Sequence, residues 1–247
     1  MTAAGKQLQG PGREPAFPPP AGAEPLPRRG LLAAAGLAAL RRWAPPGGRS
    51  RPPLWGGLTT LTAWPDFFLA GPVLGAPWAV LTLEELIRRG AEDLIFFGLA
   101  GGLKAGLGPG DILCPEDGLT TEGTSIHYPA PLRPDPDLRG RLLDQGEPLS
   151  GGAIWSTDAP CRETAALVAA MKAAGAAAVD METTALWAAA RFRGRRLAAL
   201  LVIDDLFAED GHRTGLDRPG FRLGLNRAAR LAWRATAPGP YPPGGAD

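Results

Sequence analysis

From Phe67 onward, short apolar runs alternate with stretches whose apolar residues recur at helical spacing, and few architectures accept that alternation. "FFLAGP", "DLIFFG", "GDILCP", "GAIWS" and "LAALLVI" read as strands buried on both faces, each closed by glycine, proline or a polar residue. "AVLTLEELIRRG", "ETAALVAAMKAAG" and "METTALWAAARFRG" read as helices stopped by Gly90, Gly175 and Gly194, the last with Arg191 and Arg193 at its negative end. A further helix fits "RLGLNRAARLAWRAT". Strands of this kind alternating with helices predict a three-layer α/β/α sandwich around a mixed, largely parallel central sheet. The chain has 247 residues, which suits one such domain.

Residues 1–26 are rich in proline, glycine and alanine and read as a flexible lead-in, leaving 27–247 as the single domain. "RRGLLAAAGLAALRRW" reads as an amphipathic first helix. The alternative is a twin-arginine export signal begun by Arg28 and Arg29. Its apolar run is short, is closed at once by Arg41 and Arg42, and has no A-x-A site after it. A membrane span would need about 20 apolar residues.

Composition removes several chemistries. A formal net charge of +1 offers no steering toward nucleic acid or a polyanionic partner. Cys114 and Cys161 are the only cysteines and form no C-x-x-C pair, which fits a reducing, cytoplasmic compartment and no thiolate metal site. With only His127 and His212, a histidine metal centre is excluded, and no G-x-S-x-G elbow supports a serine hydrolase. Carboxylates, arginines and backbone groups must therefore do most of the work.

In α/β folds, ligands gather at the carboxyl ends of strands, and several stretches fall at such positions. "GLAGGL" (98–103) directly follows the strand "LIFF" and reads either as a tight glycine turn or as backbone that approaches a ligand and turns N–H groups toward an anion. "EGTSIHY" (122–128) reads either as a polar surface loop or as part of a site. In "WSTDAPCRE" (155–163), Asp158 has a plain reading as a turn former and Glu163 as a helix-start acid. "IDD" ends in two adjacent carboxylates, Asp204 and Asp205. In "VDMETT", Asp180 can cap the following helix through backbone N–H groups, and Glu182 either complements the helix dipole or holds a ligand.

Taken in order, "GLAGGL", "GLGPGDILCPE", "EGTSIHYPAP", "WSTDAPCRET", "VDMETTALWAAARFRG" and "LLVIDD" resemble the nucleoside phosphorylase superfamily, particularly its uridine phosphorylase-like members, across residues 67–207. The resemblance implies a homo-oligomeric pentosyltransferase that splits a ribonucleoside, uridine slightly favoured, into free base and ribose 1-phosphate. Inorganic phosphate would be co-substrate, with no other cofactor and no metal. It implies that Glu182 accepts hydrogen bonds from the ribose hydroxyls while Met181 packs on the sugar. Asp205 would serve the leaving base, Arg162 would read a pyrimidine carbonyl, and the backbone at Ala100 and Gly101 would approach the nucleoside.

The chain also departs from the family pattern. Phe96 and Leu99 stand where many phosphorylases carry an arginine and a Ser or Thr, Asp204 replaces a serine, and Cys161 replaces an aromatic. No Gly-Asp-Pro phosphate turn is recognisable; "PLPRRGLL" occupies its place, which makes Arg29 the surrogate cation and Gly98 a backbone phosphate contact. Two alternatives stand beside phosphorolysis: hydrolysis by an N-ribosidase of the same superfamily, and an inactive nucleoside-binding homologue.

Overall fold

The computed structural model describes residues 24–208 and 211–237. Most of the lead-in and the side chain of His212 therefore lie outside the described residues. The chain runs β1 (Arg29–Ala33), α1 (Leu37–Arg42), β2 (Arg49–Leu54), β3 (Thr59–Ala63), β4 (Phe67–Gly71), α2 (Ala76–Arg88), β5 (Asp93–Gly102), β6 (Ile112–Leu113) and β7 (Asp117–Thr120). It continues through α3 (Pro136–Leu143), β8 (Ala153–Ser156), α4 (Ala165–Ala173), β9 (Ala176–Asp180), α5 (Thr183–Phe192), β10 (Arg196–Ala208), β11 (Gly211–Thr214) and α6 (Pro219–Thr236).

The strands form one mixed sheet in the order β2-β3-β4-β1-β5-β9-β8-β7, with β10 on the other side of β5 carrying β6 and β11. β4, β1, β5 and β10 run parallel, as do β7, β8 and β9, and β9 meets β5 antiparallel. Successive residues of a strand face opposite sides, so each central strand feeds two cores. Leu94 and Phe96 of β5 pack with α2 and α5 through Leu83, Leu86, Leu186 and Trp187. Ile95 and Phe97 pack with α1, α3 and α6 through Leu40, Leu138, Ala228 and Trp233. This is the expected α/β/α sandwich. No helix among the described residues is long and apolar enough to cross a membrane.

Three local expectations change. The expected first helix divides: Arg29–Ala33 is a central strand between β4 and β5, and only Leu37–Arg42 is helical. Alanine and leucine favour helix, but Leu31 and Leu32 are both fully buried, one on each face of the sheet, and Gly36 at φ 69° separates strand from helix. Cleavage after this run would remove a central strand. Leu26, assigned to the lead-in, is buried and its N–H donates to the Arg89 carbonyl, so ordered chain begins before residue 27. "GLAGGL" is not a turn: β5 continues through Gly102. A Cβ at Gly101 would stand 2.6 Å from Asp205 Oδ1, and one at Gly102 would stand 2.8 Å from Leu206, so these glycines let β10 close against β5.

Candidate active site

The opening in the sheet follows from strand lengths. β1 pairs with β5 only as far as Phe97, and β9 joins the same side of β5 at Gly101. Between them, residues 98–100 of β5 have no ladder partner on that side. A cavity of about 620 Å³ opens there, lined by the turn after β1 (Ala34, Ala35), by Leu99–Gly101, by the end of β9 through Glu182, by Asp204, Asp205 and Phe207 of β10, and by Pro160, Cys161 and Glu163. Leu74, just before α2, completes the wall.

The start of α5 places the central carboxylate. Asp180 ends β9, and its Oδ2 accepts the Thr183 N–H at 3.0 Å and the Thr183 hydroxyl, which anchors the first turn. Asp180 Oδ1 accepts the Ser156 hydroxyl at 2.5 Å from neighbouring β8, and Ser156 Oγ accepts the Thr184 N–H at 3.1 Å. Thus Asp180 performs the capping that its position predicts.

Glu182 occupies the N-cap position but makes no side-chain cap bond. Its Oε1 accepts the Gly75 N–H at 2.6 Å and its Oε2 the Met181 N–H at 3.2 Å, at 5% exposure of the residue. Each oxygen holds one backbone donor and keeps lone-pair capacity for another. Burial, and then the charge of Asp180, push the Glu182 carboxyl above the usual carboxylate range. Burial likewise raises Asp180, against the lowering effect of its bonds from Ser156 and Thr183.

Around this centre "EGTSIHY" acts as a brace. Burial pushes the Glu122 carboxyl up, but bonds from Ser125, Thr120 and Thr124 outweigh it and the net shift is downward. The same carboxylate accepts the Thr184 hydroxyl at 3.2 Å, tying the loop to α5. Asp158 accepts the Gly123 N–H at 2.8 Å and joins this loop to the one after β8. Glu163 is not the helix-start acid; Thr164 caps α4 through the Leu167 N–H.

The cavity therefore brings together Ala100, Gly101, Met181, Glu182 and Asp205 from three separated stretches of sequence. Asp205 lies at a bulge in β10, paired with Gly101 across Asp204. Arg162 is exposed beside Cys161 and Glu163 but does not line the cavity. Gly98 faces Phe96 and Leu201 and stays outside it.

Arg29 is a correction. It starts β1 opposite Asp93, and Ala34 at the cavity is five residues further along, roughly 16 Å at the usual strand rise. The turn after β1 is Ala34–Ala35–Gly36, so "PLPRRGLL" precedes the site, and Arg29 heads a strand and not a helix N-terminus. Phe96 is fully buried in the core, away from the cavity, while Leu99 lines it. Sequence reading missed Gly75 and Ser156, whose contacts to the site span 107 and 24 residues.

The cavity thus holds a buried carboxylate with spare acceptor capacity, an apolar thioether beside it and a second acid at the sheet opening. Residues 59–237 match the family model described as the Phosphorylase superfamily, and the chain belongs to that family. It is 31% identical over 159 residues to a guanosine phosphorylase of Halorubrum lacusprofundi, covering 62% of this chain and 66% of that protein. It is also 31% identical over 150 residues to a DeoD-type purine nucleoside phosphorylase of Jannaschia, covering 57% of this chain and 64% of that one. Both matches thus span slightly less than two thirds of the relative's length.

Among solved structures, the chain superposes on uridine phosphorylase from Vibrio fischeri with TM-score 0.74 at 20% identity, covering 85% of this chain and 91% of that one. Purine nucleoside phosphorylase from Toxoplasma gondii gives TM-score 0.73 at 16% identity, covering 86% and 91%. AMP nucleosidase from Bacteroides thetaiotaomicron gives 0.66 at 20% identity, covering 85% and 88%. At these identities the likeness is one of fold.

Proposed function

We propose that this chain cleaves the bond between base and ribose of a ribonucleoside, with inorganic phosphate as acceptor, yielding free base and ribose 1-phosphate. The observation that carries the reading is Glu182: a buried carboxylate held by two backbone N–H groups and open to two further donors. Adjacent ribose hydroxyls are such donors, and charge-assisted bonds of this kind strengthen as the sugar gains positive character. Met181 beside it offers an apolar surface for the ring, and Asp205, which lines the same cavity, would serve the leaving base.

The names of the two sequence relatives support a purine, as does a carboxyl at Asp205. Uridine, toward which the likeness of "EGTSIHYPAP" and of the Arg162 loop to the uridine branch points, is the second choice of base. The exposed Arg162 is retained as a rim residue that could read it. Hydrolysis is a second reading of the acceptor, favoured by the apolar Ala34, Ala35 and Leu99 lining the β1 side of the cavity. The reading includes a homo-oligomer and a cytoplasmic location; two free cysteines support a reducing compartment. Incubating the purified protein with guanosine, inosine, adenosine and uridine, with and without phosphate, tests it. Phosphate-dependent base release supports phosphorolysis, phosphate-independent release supports hydrolysis, and no release from any of the four sinks the proposal.

A further inference from the structure

Asp180 does more than a helix cap requires. Serine or asparagine would accept the same N–H without placing a charge in the interior, and burying a carboxylate is costly unless its bonding is complete. Here the carboxylate is 6% exposed, and the donors around it are neutral: the Ser156 hydroxyl, and the hydroxyl and N–H of Thr183. Glu182, two residues on, is as deeply buried and is held by amides alone. Two carboxylates so close and so dry are not both comfortably ionised.

The clamps differ in kind. Asp180 is gripped from two elements, since Ser156 sits opposite it in the β8–β9 ladder and Thr183 begins α5. Ser156 Oγ in turn receives the Thr184 N–H, so one hydroxyl links the strand, the acid and the helix. The other charged groups facing the cavity are Glu163 after β8 and Asp204 and Asp205 on β10; from the α2 side the contact to Glu182 is the Gly75 amide. Glu122 lies behind Thr184 and is occupied by its own loop.

We propose that Asp180, clamped by Ser156 and Thr183, is a positioning residue that fixes both the place and the charge state of Glu182. Its own bonds favour the ionised form of Asp180, so of the two acids Glu182 is the one that carries a proton. This agrees with burial and Asp180 both pushing the Glu182 carboxyl upward. A ligand bringing two hydroxyl donors supplies what the two amides do not, and the proton leaves. Ribonucleoside binding near neutral pH is therefore coupled to proton release. That consequence rests on the ribose reading of Glu182; the link between the two acids does not.

The test is a carboxyl titration by NMR on protein labelled at glutamate side-chain carboxyls, with Glu182→Gln identifying the resonance. In the unmodified protein the Glu182 signal should titrate well above the ordinary value of about 4. In Asp180→Asn the midpoint should fall by about one unit or more. Should Asp180→Asn fail to fold, Asp180→Ser, which keeps an acceptor for the Thr183 N–H, carries the same measurement. An ordinary midpoint in the unmodified protein, or one that does not move in either variant, overturns the inference. The titration needs no nucleoside, so a silent nucleoside panel sinks the functional reading alone and an unmoved titration sinks this inference alone.

Discussion

The two ends of the central sheet treat acidic side chains in opposite ways. At the end where β5 and β10 begin, carboxylates are matched with arginines. Asp93 takes two bonds of 2.6 Å from Arg196, Glu84 is met by Arg193, Glu92 by Arg28, and Glu85 by Arg88 and Arg89. At the other end, where β5 and β9 finish, Asp180 and Glu182 are held by hydroxyls and backbone amides. An arginine partner satisfies a carboxylate and cancels its charge. Neutral donors satisfy its geometry without supplying a countercharge. The first arrangement joins elements; the second keeps a carboxylate whose interaction with an incoming ligand has not been used up.

That contrast can be broken most sharply at Glu182. Glu182→Ala should lower kcat/KM for nucleoside cleavage on the order of 10²–10³-fold, while thermal unfolding stays close to that of the unmodified protein. A melted protein whose folded fraction retains full turnover would return Glu182 to a purely structural role. Asp180→Ala strands the donors of Ser156 and Thr183 and removes the cap, so it should cost about 2 kcal/mol of stability in urea unfolding. A smaller effect is expected from Asp93→Asn at the opposite end. About 1 kcal/mol should be lost, eroded further by added salt, with base release unchanged.

The smallest effect is a slope. Asp180 and Glu182 have carboxyls raised in the folded state, so their ionisation opposes folding. The stability they permit is fully present below the unfolded value of about 4 and is lost as pH rises through the folded-state values. Unfolding free energy should therefore decline between about pH 4 and the neutral range, and Glu182→Gln should flatten that decline. A steeper decline in the variant would contradict the assignment.

Much of this contrast is legible in the sequence, because it lies in local pattern. The buried runs of β4, β5 and β10 and the glycine-stopped helices announce the sandwich, and "VDME" ahead of an apolar helix announces the acid pair. What escaped reading was decided at long range. "GLLA" has helix-forming residues but is drawn into the sheet because β4 and β5 flank it on both sides. "GLAGG" looks like a turn, yet it stays extended because β10 packs over it. Arg29 is expected at the cavity because "PLPRRGLL" stands in the place of the family's phosphate turn, yet β1 holds it at the opposite end of the strand from Ala34. The Gly75 amide has no side chain to betray it, and only the approach of α2 to α5 brings it to Glu182.

The unpaired stretch of β5 at residues 98–100 bears on how such a cavity endures. It exists because one strand stops at Ala33 and another arrives at Gly101, so its floor is main chain and its width is set by the gap between two strand ends. Substituting every acid on its walls would change what it holds and leave the opening itself. Lengthening β1 by two or three residues, without touching any acid, would zip the floor shut. In this molecule the vulnerable dimension of the site is strand length, and an insertion at Ala34 threatens it more than most point substitutions do.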